Sequence, residues 1–334
     1  MQDFLINKMS LSVNSETLEH IHALLISQGG TLLAEEYFSG HDEVWGEDIG
    51  KIDFNKDTLH DIRSVTKSIV SILYGIAMEY QQVPHLGSPI IEHFPEYRKD
   101  ANFDHINIEH ALTMTMGIEW NENCPYHDIS NDEIGMELAQ DRYGYIFSKA
   151  VTGRAGETWC YSGGSTALLG RIIEKYTHCT LPEFANKVLF KELGITNFKW
   201  HKGIDGVASA ASGLRLTARD LLKIGQLILN KGRWSGNDIV PAIWIKESIT
   251  PRFFTGTEHY GYLWYIDQYK SPVSGHTYDW YAAFGNGGQI LLIIPDLESV
   301  IVIFSGEYNK VDIWNSLFSL LEEIIFPRLE ELFY

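Results

Sequence analysis

Cysteine is scarce. The 334 residues hold three, Cys124, Cys160 and Cys179, an odd and scattered set with no Cys-x-x-Cys, which excludes a disulfide framework and a thiolate metal site and leaves reduced thiols. Basic charge is also short. Lys plus Arg number 26 against 44 Asp plus Glu, a formal charge of −18, and a surface of that sign repels phosphate backbones and anionic lipid, so nucleic-acid and membrane roles drop out. No run reaches the roughly eighteen apolar residues of a membrane span, and MQDFLINKMSLSVNSETLEH has no basic segment leading into an apolar one. The chain reads as cytoplasmic unless a signal peptide has been cut away. Its 13 histidines form no His-Glu-x-x-His or His-x-His-x-Asp-His string, with His20 and His22 the close pair, so metal hydrolysis is disfavoured and no cofactor is expected.

What is present is an ordinary globular composition, 45% hydrophobic and 21% charged, long enough for two lobes or one large fold. Residues 21–27 (IHALLIS) and 31–38 (TLLAEEYF) flank Gly29-Gly30, the pattern of an antiparallel hairpin. A second hairpin closes the chain, 289–294 (QILLII) and 299–304 (SVIVIF) around Pro295-Asp296-Leu297-Glu298. A helix follows over 311–326, with Ile313, Leu317, Leu320, Leu321 and Ile324 at helical spacing. The two ends are therefore expected to share one sheet. The middle is mostly helical: Ile69, Ile72, Leu73, Ile76, Ala77 and Tyr80 form one stripe, and 166–176 and 218–229 repeat the period. The expected layout is an α+β molecule with an antiparallel sheet flanked by helices. Residues 1–60 plus 235–334 form a discontinuous sheet-containing lobe, residues 61–234 a mostly helical one, and an active site is expected between them.

Three segments carry chemistry. Ser64-Val65-Thr66-Lys67 opens the first helical stripe. A spacing of three puts Lys67 Nζ within reach of Ser64 Oγ at the positive end of a helix, which makes a nucleophile of a hydroxyl. The bland alternative is a serine N-cap beside a chance lysine. Tyr161, on a loop before a helical segment, is a general base if the Lys67 ammonium stabilises its phenolate, although most of the 17 tyrosines are packing residues. Phe284-Gly285-Asn286-Gly287-Gly288-Gln289 runs into an apolar strand. A free N–H there completes an oxyanion hole with Ser64 N–H, or the glycines simply make a hairpin turn. A rival serine lies in Gly163-Gly164-Ser165-Thr166-Ala167, one residue short of a nucleophile elbow. It lacks a preceding parallel strand, and Ser165 reads better as a helix N-cap.

Taken in order, serine-lysine at a helix start, a tyrosine loop about a hundred residues on and a glycine-rich strand entry near the C-terminus resemble the serine β-lactamase-related hydrolases of the class C type. That family includes penicillin-binding proteins, D-aminopeptidases, carboxylesterases and 6-aminohexanoate-dimer hydrolases. The resemblance runs from about residue 20 to 325 and includes LHDIRSVTKSIVSILYGIA, INIEHALTMTMGIEW, AGETWCYSGGSTALLGRIIEKYT and ASGLRLTARDLLKIGQLILNKGRW. It implies a β-lactamase/transpeptidase-like fold, Ser64 as the acylated nucleophile, Lys67 as its proton acceptor, Tyr161 as base and later acid, and no metal or organic cofactor.

Two departures bear on substrate. The family's Tyr-x-Asn motif has Gly163 in third place, so an amide that would grip an acylamino substrate is missing. The Lys-Thr-Gly or His-x-Gly motif has no cation and falls either at Trp280-Tyr281-Ala282 or at Asn286-Gly287-Gly288, with Trp280 and Tyr281 as possible walls of an apolar pocket. Both losses favour small neutral or cationic esters or amides over penicillins. A true β-lactamase or D-amino-acid peptidase is the alternative within the enzyme class. A catalytically silent binding module is the alternative outside it, and intact Ser64, Lys67 and Tyr161 argue against that reading.

Overall fold

Gly29 and Gly30 take φ of 56° and 75°, a turn that only glycine makes cheaply, and it joins β1 (Ile21–Gln28) to β2 (Thr31–Tyr37) in the expected hairpin. The computed structural model describes residues 20–99 and 101–334. The reading of the N-terminal stretch falls on residues 1–19, outside the described residues.

On its other edge β1 pairs antiparallel with β13 (Ser299–Ser305), Leu24 opposite Ile303 and Gln28 opposite Ser299, so the two ends of the chain do share a sheet. The hairpin of β3 (Ser39–Val44) and β4 (Glu47–Asp53) follows β2, and β5 (His60–Asp61), β6 (Lys199–Trp200) and β7 (Leu214–Leu216) form a small separate sheet in the order β5-β7-β6. The large sheet adds β8 (Phe253–Phe254), β9 (His259–Tyr260), β10 (Tyr265–Lys270), β11 (Thr277–Gly285) and β12 (Gln289–Ile294), in the order β8-β9-β10-β11-β12-β13-β1-β2.

The central strands read as unbroken apolar runs because both faces are covered. Alternate residues sort by face. Leu25, Leu291, Ile293, Val300 and Val302 join the core shared with α1 (Val65–Glu79) and the helical region, and Leu24, Ile290, Leu292, Ile301 and Ile303 join a second core.

Around the first core lie α2 (Ile108–Leu112), α3 (Asp132–Glu137), α4 (Arg142–Phe147), α5 (Gly163–Thr177) and α6 (Ala218–Leu229). Every residue of α1 from Val65 to Ala77 is buried. The second core lies under α7 (Ile313–Leu320), which continues through a wider π-type turn at Leu321–Ile325 into α8 (Phe326–Phe333), past the expected end at 326. Pro327 does not stop it, since it directly follows the wider turn, where the Glu322 carbonyl takes the Tyr269 hydroxyl at 3.3 Å. The layers are those of the expected α+β arrangement. Among the described residues, no helix is long and apolar enough to cross a membrane.

Candidate active site

Leaving β5, the chain turns through Arg63, held at φ 48°, and delivers Ser64 to the N-cap of α1. The Ser64 side chain caps no backbone N–H, so the bland capping role does not describe it. Its Oγ instead lies 3.0 Å from Lys67 Nζ. That ammonium also donates to Glu133 Oε2 and to the Ala211 carbonyl, each at 3.1 Å. Three bonds use all three of its protons.

Tyr161 comes from the loop before α5. Its ring centroid stands 4.8 Å from Lys67 Nζ, and it lines one pocket with Ser64. Burial pushes its pKa up, with Glu122 and Glu133 adding to that, and the pull of Lys67 and Ser64 does not offset it. That direction runs toward the neutral phenol and away from a lysine-stabilised phenolate. Lys67 goes the other way. Burial alone would lower its pKa, but Glu133, Tyr161 and Glu122 outweigh it, and the ammonium is raised above its ordinary value.

The two carboxylates are the residues that motif reading missed. Glu133 is the second residue of α3, whose cap Asn131 accepts from Glu133 N, and its other oxygen takes the Ser212 hydroxyl. Glu122 accepts from Trp120 Nε1 at 2.6 Å and from Tyr126 OH at 2.9 Å, and it also takes the Gly163 main-chain N–H at 2.5 Å. Burial first, then Glu133, push Glu122 up to about 7 against the pull of Lys67. The only local signal in the sequence was Asn131-Asp132-Glu133, which reads as an ordinary helix start.

Gly163 belongs to the cluster through its main chain. Asn286 lines the same cleft as Ser64; its amide is tied to Asn309, donating to Asn309 Oδ1 and accepting from Asn309 N. Next to it, Gly285 lets β11 close on the nucleophile turn, for a Cβ there would stand 2.5 Å from the Ile62 carbonyl. Gly287 and Gly288, at φ 92° and 88°, make the turn into β12, and Gly288 faces Leu317 and Ser305. For these two the hairpin-turn reading holds. Trp280 does not reach the cleft: it is buried in the second core with its ring against Phe284 and Phe318. Tyr281 lines a separate apolar groove with Ile243 and Ile293.

Ser165 is not the cap of α5. Ser162 is, its side chain accepting from Ser165 N, and Ser165 is a buried residue of the first turn. No strand precedes it over 156–162, so the nucleophile-elbow reading fails.

The cleft has a volume of about 360 Å³ and is lined by Trp45, Ile134, Leu138 and Ile204 beside Ser64, with Arg63 and Lys202 as its cations. Lys202 comes from a loop far from the expected third motif. On the other side of Ser64 lies an aromatic pocket of similar size, walled by Tyr126, Tyr161, Tyr265, Phe284, Trp314 and Phe318.

Comparison with known proteins gives a consistent picture. The family model described as Beta-lactamase matches residues 22–312. A 6-aminohexanoate-dimer hydrolase from Paenarthrobacter ureafaciens is 25% identical over 307 residues, covering 85% of this chain and 72% of that protein. A solved Bacillus anthracis structure assigned as a 6-aminohexanoate-dimer hydrolase superposes with a TM-score of 0.78 at 21% identity, covering 95% of this chain and 81% of its own. EstCE1, a hydrolase with promiscuous acyltransferase activity, gives 0.72 at 13% identity, covering 95% of this chain and 99% of its own.

Proposed function

The chain belongs to the beta-lactamase family and is a hydrolase of the serine β-lactamase-related type, and we propose that it works through an acyl-enzyme on Ser64 and takes small esters or amides. The observation that carries this reading is the 3.0 Å contact of Ser64 Oγ with Lys67 Nζ, itself bonded to Glu133. Because Lys67 rests as an ammonium, it cannot accept a proton until it gives one up. Glu133 Oε2 stands in line to receive it, so the Ser64 proton passes to Lys67 as a Lys67 proton passes to Glu133.

The freed Oγ attacks the acyl carbon and the carbonyl oxygen becomes an oxyanion. The N–H groups of Ser64 and Asn286 are its donors in this reading; neither makes a main-chain hydrogen bond among the described residues. Tyr161, a phenol beside Ser64, gives its proton to the departing alkoxide or amine as the acyl–leaving-group bond breaks, and recovers one from Glu133 through Lys67. Water then attacks the ester on Ser64 and regenerates the serine.

A linear amide of amino-acid units, the kind named in the 6-aminohexanoate-dimer hydrolase, is the first substrate to try. The aromatic pocket beside Ser64 suits an apolar acyl or leaving group. The test treats the purified protein with a fluorophosphonate and with p-nitrophenyl esters and maps the adduct. One adduct on Ser64, lost together with turnover in Ser64→Ala, is expected; an adduct on Ser165, or turnover surviving in Ser64→Ala, overturns the assignment.

A further inference from the structure

One cluster of side chains has no part in that chemistry. His22 on β1, Asp42 on β3 and His60 on β5 meet in the interior, exposed by only 1%, 2% and 0%. His22 Nδ1 lies 2.8 Å from His60 Nε2, and Asp42 Oδ1 lies 3.4 Å from His60 Nε2 and 4.0 Å from His22 Nδ1.

The outer nitrogen of each ring is already committed. His60 Nδ1 meets the Asp61 carbonyl at 3.0 Å, and His22 Nε2 lies with the His41 carbonyl beside Gly306. A neutral imidazole has one N–H; spent outward on a carbonyl, it leaves a lone pair pointing inward. With both rings in that tautomer, two inward lone pairs and a carboxylate oxygen converge. The Tyr308 hydroxyl donates to Asp42 Oδ1 at 2.8 Å and so steadies the carboxylate.

We propose that these three side chains form a structural site for a divalent transition-metal cation of the zinc type, bound by His22 Nδ1, His60 Nε2 and Asp42 Oδ1. Three points separated by 2.8, 3.4 and 4.0 Å lie on a circle of radius about 2.0 Å, the length of a zinc–imidazole or zinc–carboxylate bond. Two imidazoles and one carboxylate select zinc and its neighbours over calcium or magnesium, which prefer all-oxygen sites. Each imidazole anchored outward to main chain is the supporting arrangement that metal-bound histidines use.

The surroundings are shaped to hold the rings. Phe54 stacks on His22 with centroids 4.1 Å apart, and Phe304 on His60 at 4.7 Å, a dry apolar shell. A Cβ on Gly40 or Gly306 would stand 2.5 or 2.6 Å from His22 ring atoms, so both neighbouring positions are stripped to backbone to admit the imidazole. The cation would tie three strands together, one of them ending three residues before Ser64, and so brace the turn that delivers the nucleophile.

The test uses the full chain without a histidine tag, unfolded in chelator and refolded with Co²⁺ or Zn²⁺, because so buried a site loads as the protein folds. One Co²⁺ per chain is expected, with the visible bands of a low-coordinate N/O site, and Zn²⁺ raises Tm by about 5 °C or more. His60→Gln and Asp42→Asn lose both responses while Ser64→Ala keeps both, and near-UV dichroism establishes that each variant is folded. The proposal is overturned if the wild-type chain refolds to the same Tm with and without Zn²⁺ and takes up no stoichiometric Co²⁺. It is equally overturned if folded His60→Gln keeps the Co²⁺ bands, or if the wild-type protein in excess Zn²⁺ shows a far-downfield proton resonance of a hydrogen shared between the two rings.

Discussion

A Cβ placed on Gly163 would stand 2.5 Å from Glu133 Oε2: the carboxylate that holds Lys67 occupies the space that a side chain at 163 would claim. What looks in the sequence like a missing amide is, in space, an exchange of one polar partner of Lys67 for another drawn from a different helix.

Gly163→Ala should therefore displace Glu133 from Lys67 and lower kcat on a p-nitrophenyl ester by roughly 10- to 100-fold, since small misplacements of a proton carrier are costly. Pairing Gly163→Asn with Glu133→Ala should recover part of the rate, as an amide oxygen takes the vacated position. Unchanged turnover in Gly163→Ala would mean that the Glu133 contact has no bearing on rate.

Tyr161→Phe separates leaving groups. p-Nitrophenolate departs without a proton, whereas an amine does not. The variant should lose about 10²- to 10⁴-fold on an amide and much less on the nitrophenyl ester. Equal losses on the two would remove Tyr161 from the acid role.

Glu122 predicts a pH effect with a definite sign. Burial and Glu133 raise its pKa in the folded chain to about 7, above the value of an unfolded glutamate. The folded state thus binds the extra proton, and stability is lost as pH rises from about 4.5 through 7. Glu122→Gln keeps the shape and can still accept from Gly163 and Trp120. Its stability relative to wild type should rise across that window, by up to about 3 kcal/mol, and stay level above it. Urea midpoints at pH 5 and pH 8 measure this, and a gap that is the same at both would contradict it.

Gly285→Ala should push β11 away from the nucleophile turn, because the added Cβ would stand 2.5 Å from the Ile62 carbonyl. A stability loss of about 1–3 kcal/mol together with slower labelling of Ser64 by a fluorophosphonate is the expected pair of results. Wild-type labelling would show that the strand end tolerates the shift.

The strands of the central sheet were legible because Ile21–Gln28, Gln289–Ile294 and Ser299–Ser305 are apolar runs ended by Gly-Gly or Pro-Asp. Ser64 and Lys67 were legible because one helix brings them together at a spacing of three. Glu122 and Glu133 were not, since only the path of the intervening loops carries them to Lys67. Trp280 was placed at the cleft by counting along the chain, which ignores parity. On β11, Ala283 faces the core of α1 while Trp280 and Ala282 face the opposite core, and a count off by one residue exchanges the faces. His22, Asp42 and His60 escaped notice for the same reason as the glutamates: three separate strands supply one residue each, and no spacing along the chain encodes the meeting.

The pairing of β1 with β13 also sets a clock. Roughly 270 residues separate the two strands, which at ribosomal speeds of about 5–20 residues per second is a wait of roughly 15–55 s. Through that interval the β1–β2 hairpin exists with an apolar edge and no partner, while the whole helical portion is made and has no sheet to lie on. The nascent chain thus cannot close its own centre until that strand emerges, and its exposure to chaperones and to aggregation is decided by the length of that wait.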